Sequence, residues 1–321
     1  MNATGPRCSA TSSTDVELYI EFAIAIPSLV LYALFLLIYC RERRSTQLRS
    51  SYYLIFVVHS CINIVYFLSR ALIMRISSFS FLCQWVLDSF GKFEYGFTPI
   101  YFIYHYTQHS QALSIIAINI NRVKIHHYST HVLLLSIFII PLPLTWHLLI
   151  SPVKFITSPP MLGMDYSRIV TYPGLSILHL VVDGTATGVV AIASVAILAQ
   201  LRALQNRKKT NERSMIIVSL LLSFGLLLSA TVQYLIYTLP RTSDTYFFTL
   251  NRRWIVTNFV SLFPPWSLLL LSSVVRTEIS VLLGRTPPPP CLSQGINNED
   301  NWQEHYYDGL DTQRIHKNND Y

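Results

Sequence analysis

Charge is what this sequence has least of. Of 321 residues, 24 are Lys or Arg and 17 are Asp or Glu, 13% in all, against about 25% in soluble domains. A soluble fold of this length could not cover its surface with so few ions. With 51% hydrophobic residues, the solvent to consider first is a bilayer. Cysteine is sparse too: Cys8, Cys40, Cys61, Cys83 and Cys291 stand at wide, irregular intervals that match neither a metal knuckle nor a disulfide scaffold. The short patterns of hydrolases are absent, with no Gly-x-Ser-x-Gly, no His-Glu-x-x-His and no paired membrane carboxylates. No internal repeat of the kind transporters carry is visible.

Apolar runs, by contrast, are plentiful. A spanning helix needs about 20 mostly apolar residues to cross a hydrocarbon core of roughly 30 Å. The chain offers seven such segments, 18–40, 52–74, 98–121, 131–151, 174–201, 214–239 and 254–275. The third is the weakest, because Tyr, His and Gln fill its first half. The first begins behind Asp15 and Glu17 and lacks the basic lead of a cleaved signal, so it is expected to remain as an anchor. Val275, Ile279, Leu282 and Leu283 repeat at helical spacing before Gly284, which predicts a short amphipathic helix after span seven. The expected fold class is an all-α membrane protein, a seven-transmembrane helix bundle. Its divisions are an extracellular stretch 1–17, a bundle with its juxtamembrane helix 18–283, and a disordered cytoplasmic tail 284–321, opened by Pro287 to Pro290.

Direction follows from the connections. Those after spans one, three and five are dense in base: Arg41, Arg43, Arg44 and Arg49, then Arg122 and Lys124, then Arg202, Arg207, Lys208, Lys209 and Arg213. The other connections are longer and hold fewer basic residues. Because basic residues beside spans stay in the cytosol, the N-terminus is expected outside and the C-terminus inside. An Asn-x-Thr acceptor at Asn2 agrees with a lumenal N-terminus. Nucleic acid is excluded as a partner, since the bases sit at membrane edges with no stacking platform around them.

Ionisable groups within spans are costly, face the bundle interior and mark function. Asp183 lies about nine residues into span five, roughly 14 Å from its outer end at 1.5 Å per residue. His179 precedes it by four residues, which puts both on one face. His105 and His109 repeat that spacing in span three, with Tyr101 and Gln108 on a neighbouring arc, and His59 and Asn63 repeat it in span two. Tyr101, His105, His109, His179 and Asp183 are therefore candidates for the wall of an outward-facing pocket. The competing reading is hydrogen bonds between helices that fix packing, worth under about 1 kcal/mol each on average. His126, His127 and His131 crowd the inner edge without Cys or acidic neighbours, so no metal or other cofactor is expected.

Three local patterns occur together. "SIIAININ" runs into Arg122, so Asn121–Arg122 closes span three; Glu212–Arg213–Ser214 opens span six; and Pro264–Pro265–Trp266 interrupts span seven. In this combination, over roughly residues 18–275, the chain resembles the nematode serpentine chemoreceptors, most closely class gamma. That resemblance implies a plasma-membrane receptor of sensory neurons, with a small-molecule ligand on the outer side, a heterotrimeric G protein on the inner side, and lipid around it. In that family an Asn-Arg pair closes the third helix and Glu-Arg-Ser opens the sixth, so Asn121, Arg122, Glu212 and Arg213 are candidates for activation and coupling. The hypothesis is that Arg122 and Glu212 form an ion pair, or share a polar network, when the receptor is off. Pro264 and Pro265, which lack backbone donors, would bend span seven. Many seven-helix receptors tie the outer end of helix three to the second outer loop by a disulfide. Here residues 150–173 hold no cysteine, and Cys83 either pairs with Cys8 or stays free. The alternatives are a ligand-gated channel or transporter of seven-helix type and, further off, an intramembrane enzyme.

Overall fold

The computed structural model describes residues 12–41, 50–75, 95–122, 129–158, 161–203, 210–240 and 243–282, with a few positions between 79 and 89. Each of the seven predicted segments is helical. The elements are α1 (Ser12–Arg41), α2 (Ser51–Arg70) continued by a π-helical turn (Ala71–Arg75), α3 (Thr98–Arg122), α4 (Ser129–Ile139), α5 (Pro141–Leu149), a hairpin of β1 (Val153–Ser158) and β2 (Met161–Tyr166), α6 (Leu175–Ala203), α7 (Thr210–Thr238), α8 (Asp244–Leu262), α9 (Pro264–Leu271) and α10 (Ser273–Leu282). Residues up to Arg276 form one compact unit. Of the second, Thr277–Tyr321, only the helical positions to 282 are described. The expected tail, the Asn2 acceptor, Cys8, Cys83 and Cys291 lie outside the described residues.

Five helical stretches are long and apolar enough to cross a bilayer on their own: Val16–Arg41, Ser51–Ile73, Thr130–Leu149, Leu175–Ala199 and Ile216–Thr238. A sixth forms if α8 and α9, which meet at 44°, are one broken span. The chain is thus an all-α, multi-pass membrane protein. The exception is α3, the segment whose polar first half made it weakest in the sequence. It touches α2, α4, α5, α6 and α7, and residues from Thr98 to Asn119 are buried along it. A helix ringed by others has little lipid-facing side to keep apolar, so its polar groups point at protein.

Two departures from expectation bear on the site. The helix of span seven starts ten residues early, at Asp244, because Ser243 caps it: its hydroxyl accepts the Tyr246 N–H at 3.1 Å, with Asp244 in the first turn. Arg252 and Arg253 therefore ride on α8 and are not loop residues. The connection 150–173 folds into an antiparallel hairpin in which Val153 faces Tyr166 and Ser158 faces Met161. Its Val153 and Met164 join Tyr66, Ile73, Tyr101, Tyr104 and Leu148 in a single core cluster.

One helix contact depends on a glycine. A Cβ on Gly225 of α7 would come within 3.3 Å of Phe259 and Val260 on α8, so glycine sets that spacing. The proline pair stands at the start of α9, after Phe263 closes α8 by donating its N–H to Phe259 O at 3.2 Å. Trp266 then anchors the bend, its Nε1 donating to Ser28 Oγ of α1 at 2.8 Å.

Candidate functional site

Four of the five pocket candidates come together between α3 and α6. Tyr101, His105, His109 and His179 are all buried. His105 Nδ1 and His179 Nε2 share a hydrogen bond of 3.1 Å. His109 lies over His179 with ring centroids 4.7 Å apart. Tyr101 and Tyr104 each present an edge to His105 at 4.6 Å, and Tyr104 stacks on Tyr66 at 5.4 Å. The hairpin covers this cluster, with Tyr166 6.2 Å from Tyr101 and 5.8 Å from His147. The i to i+4 spacing puts His105 and His109 on one face of α3, and His179 meets them from α6.

The cluster is short of partners. His105 Nε2, both ring nitrogens of His109, His179 Nδ1 and the Tyr166 hydroxyl are buried with no hydrogen bond. A buried polar atom left unpaired costs about 1–3 kcal/mol, so such atoms gather where a water or a ligand supplies the missing bond. Among the described residues no group of three or more His, Cys, Asp or Glu is arranged to hold a metal.

The fifth candidate stands apart from these four. Asp183 lines a cavity of about 20 Å³ together with Tyr66, Gln108, Gln111 and Ser229. Its Oδ2 accepts from Ser229 Oγ on α7 at 3.0 Å. Cavity and cluster meet at the Tyr66–Tyr104 stack. Tyr66, Gln111 and Ser229 were not singled out in the sequence. Gln111 had a signal, since it falls three residues after Gln108 and so on the same side of α3; Ser229 had none.

Beneath the cavity a saturated network ties four helices. Gln111 Nε2 donates to Asn63 Oδ1 at 2.7 Å and to Ser261 Oγ at 3.1 Å. Asn63 Nδ2 donates to Tyr32 Oη at 2.8 Å and to His59 Nε2 at 2.9 Å. Because His59 Nε2 accepts, Nδ1 carries the proton and donates to Ser114 Oγ at 2.7 Å, which passes its own proton to Gln111 O. Tyr32 donates to Ser261 O at 2.7 Å. His59 and Asn63, paired by spacing in the sequence, are thus structural members of a closed circuit joining α1, α2, α3 and α8.

The structure adds a pair that sequence reasoning missed. Glu21 of α1 and Arg70 of α2 form a salt bridge of 3.0 Å with both side chains buried, and Arg70 Nη1 donates to Asn258 Oδ1 at 2.7 Å. The signal was there: α1 and α2 run antiparallel, so an acid early in the first and a base late in the second reach the same level.

At the other end of α3, Asn121 and Arg122 close the helix as expected. The Arg122 guanidinium sits 3.8 Å from the centre of the Tyr52 ring, while its Nε and Nη2 are buried without hydrogen-bond partners. Glu212 and Arg213 fall in the first turn of α7, but their side chains lie outside the described residues, as does the loop 204–209. One level deeper, Asn119 Oδ1 meets Ser223 Oγ at 3.2 Å, and Ser194 Oγ meets Ser223 Oγ at 3.3 Å, which links α3, α7 and α6.

The chain matches the family described as Srg family chemoreceptor over residues 18–279. It is also similar to a Caenorhabditis elegans protein, Serpentine receptor class gamma-20, with 25% identity over 282 residues, covering 84% of this chain and 80% of that one.

Proposed function

The chain belongs to the Srg chemoreceptor family, and from that premise we propose that it detects a small molecule in the outward half of its bundle and signals through a heterotrimeric G protein. The N-terminus is outside, and the membrane is the plasma membrane of a sensory neuron. The observation that carries this reading is the partner-poor cluster of His105, His109 and His179 between α3 and α6. Helices that needed only to pack would have no use for so many unpaired ring nitrogens.

Coupling runs through α7. Ser229 on α7 binds Asp183 on α6, so a ligand that rearranges Asp183 alters the seat of α7. At the inner end Asn121, Arg122, Glu212 and Arg213 form a polar network in the resting state, and its opening exposes a basic cavity for the G protein. Pro264 and Pro265 let the outer and inner parts of span seven reorient. A ligand moves this equilibrium only by its difference in affinity for the two states.

The test is expression in cultured cells with a calcium readout against a panel of small volatile and secreted metabolites. The reading expects a response that H105F and H179F weaken at unchanged surface expression. Responses indifferent to both substitutions would remove the pocket from this place.

A further inference from the structure

Asp183 is only 5% exposed, yet a single hydroxyl serves it, Ser229 at 3.0 Å. Among the described residues it enters no ion pair. Arg253 on α8 acts on it through space alone. Contrast Glu21, which the same bundle supplies with Arg70 at 3.0 Å. An acid at this depth is costly unless an opposite charge accompanies it, and the cavity wall supplies none. What the wall offers instead is a second acceptor and an aromatic ring: Gln108 Oε1 is buried without a donor, and Tyr66 lies alongside. A carboxyl, an idle amide oxygen and an aromatic ring together suit N–H donors on a positive charge.

We propose that the Asp183 cavity receives the protonated head of a small amine, with Asp183 as counter-ion, Gln108 Oε1 accepting a second N–H and Tyr66 beside the cation. This rests on the pocket reading above and narrows it to one class of ligand. Charge balances by either route of entry. An ammonium meeting a carboxylate, or a neutral amine meeting a carboxylic acid, yields the same pair, with one proton shared between oxygen and nitrogen and no net charge buried. The volume of about 20 Å³ fits a group near the size of one water, so the cavity takes the head alone and a water is its rival occupant. Tyr66 joins the cavity wall to the histidine cluster by contact, stacking on Tyr104 at 5.4 Å, with Tyr104 against His105 at 4.6 Å.

The experiment uses the full chain purified into lipid nanodiscs and follows its thermal unfolding midpoint with methylamine or isobutylamine, and with isobutanol or isobutyrate as controls. Both amines should raise the midpoint saturably, and the controls should not. D183N, nearly isosteric and relieved of a buried charge, should fold with an unliganded midpoint no lower than the parent's. It should weaken the amine effect by about tenfold or more in concentration, whereas S229A, which keeps the carboxyl, should change it only a few-fold. No amine-dependent rise up to millimolar concentration, a rise unchanged in D183N, or an equal rise with isobutanol would overturn the proposal and leave the cavity to water. A rise with isobutanol that H105F abolishes would overturn the amine while sparing the pocket reading. That reading fails separately, when cell responses ignore His105 and His179.

Discussion

His105 and His179 share one proton across 3.1 Å between α3 and α6. One ring must donate and the other accept, so the pair fixes complementary tautomers and leaves His105 Nε2 and His179 Nδ1 facing elsewhere, unpaired. If the bond served packing alone, its removal would cost under about 1 kcal/mol and little else. As part of a pocket, H105F and H179F should each weaken ligand potency by about tenfold or more, and the double variant should fall little further than either single one. Dose–response curves at matched surface expression read this directly.

Glu21 and Arg70 form a buried pair whose partners depend on each other. Removing one side strands a charge in the bundle, so E21A or R70A should each destabilise the fold by about 3–5 kcal/mol, while a combined E21M/R70L replacement should recover most of that loss. Thermal unfolding in detergent separates the cases. Two single losses that simply add in the double variant would mean that the pair is not coupled.

Asn63 is the hub of the four-helix circuit, with both amide hydrogens and its oxygen in use. N63L should orphan His59 Nε2 and one Gln111 hydrogen at about 1–3 kcal/mol for each stranded group. S114A strands only His59 Nδ1 and should cost less. The ranking of the two unfolding midpoints checks that Asn63 is the hub, and a reversed order would contradict it.

Arg122 rests on Tyr52 at 3.8 Å with part of its guanidinium unpaired. If it latches the resting state with Glu212, R122A and E212A should both change basal signalling in the same direction, and their combination should add nothing. Y52L removes the aromatic seat, a contact worth about 0.5–2 kcal/mol, and should shift basal signalling less. Unchanged basal and ligand-driven signalling in both R122A and E212A would refute the latch.

Much of the fold was legible because bilayer length and hydropathy leave few choices, and each predicted segment is helical. The polar third segment looked weak for the very reason it is central: Tyr, His and Gln lower its hydropathy because other helices, not lipid, surround it. The early start of α8 was written in Ser243 and Asp244, an N-cap and its acid, but the bases after them read as loop. The hairpin 153–166 carries neither clear alternation nor a glycine turn, so nothing local announced it. In the site, spacing of four put His105 and His109 on one face of α3 and His179 and Asp183 on one face of α6, yet it could not tell which neighbour each residue meets. Asp183 thus faces Ser229 and a cavity, while His179, one turn away on the same helix, joins the tyrosine cluster. Contacts of that kind depend on how helices rotate against one another, which no single segment encodes.

Orientation is the claim on which the pocket and the coupling face both depend, and accessibility in intact cells tests it most directly. With one epitope inserted at Arg207–Lys209 and another beside Asn2, the account predicts that antibody reaches the second on unpermeabilised cells and the first only after permeabilisation. Labelling of the Arg207–Lys209 epitope on intact cells would contradict it, placing Asp183 and the histidines toward the cytosol.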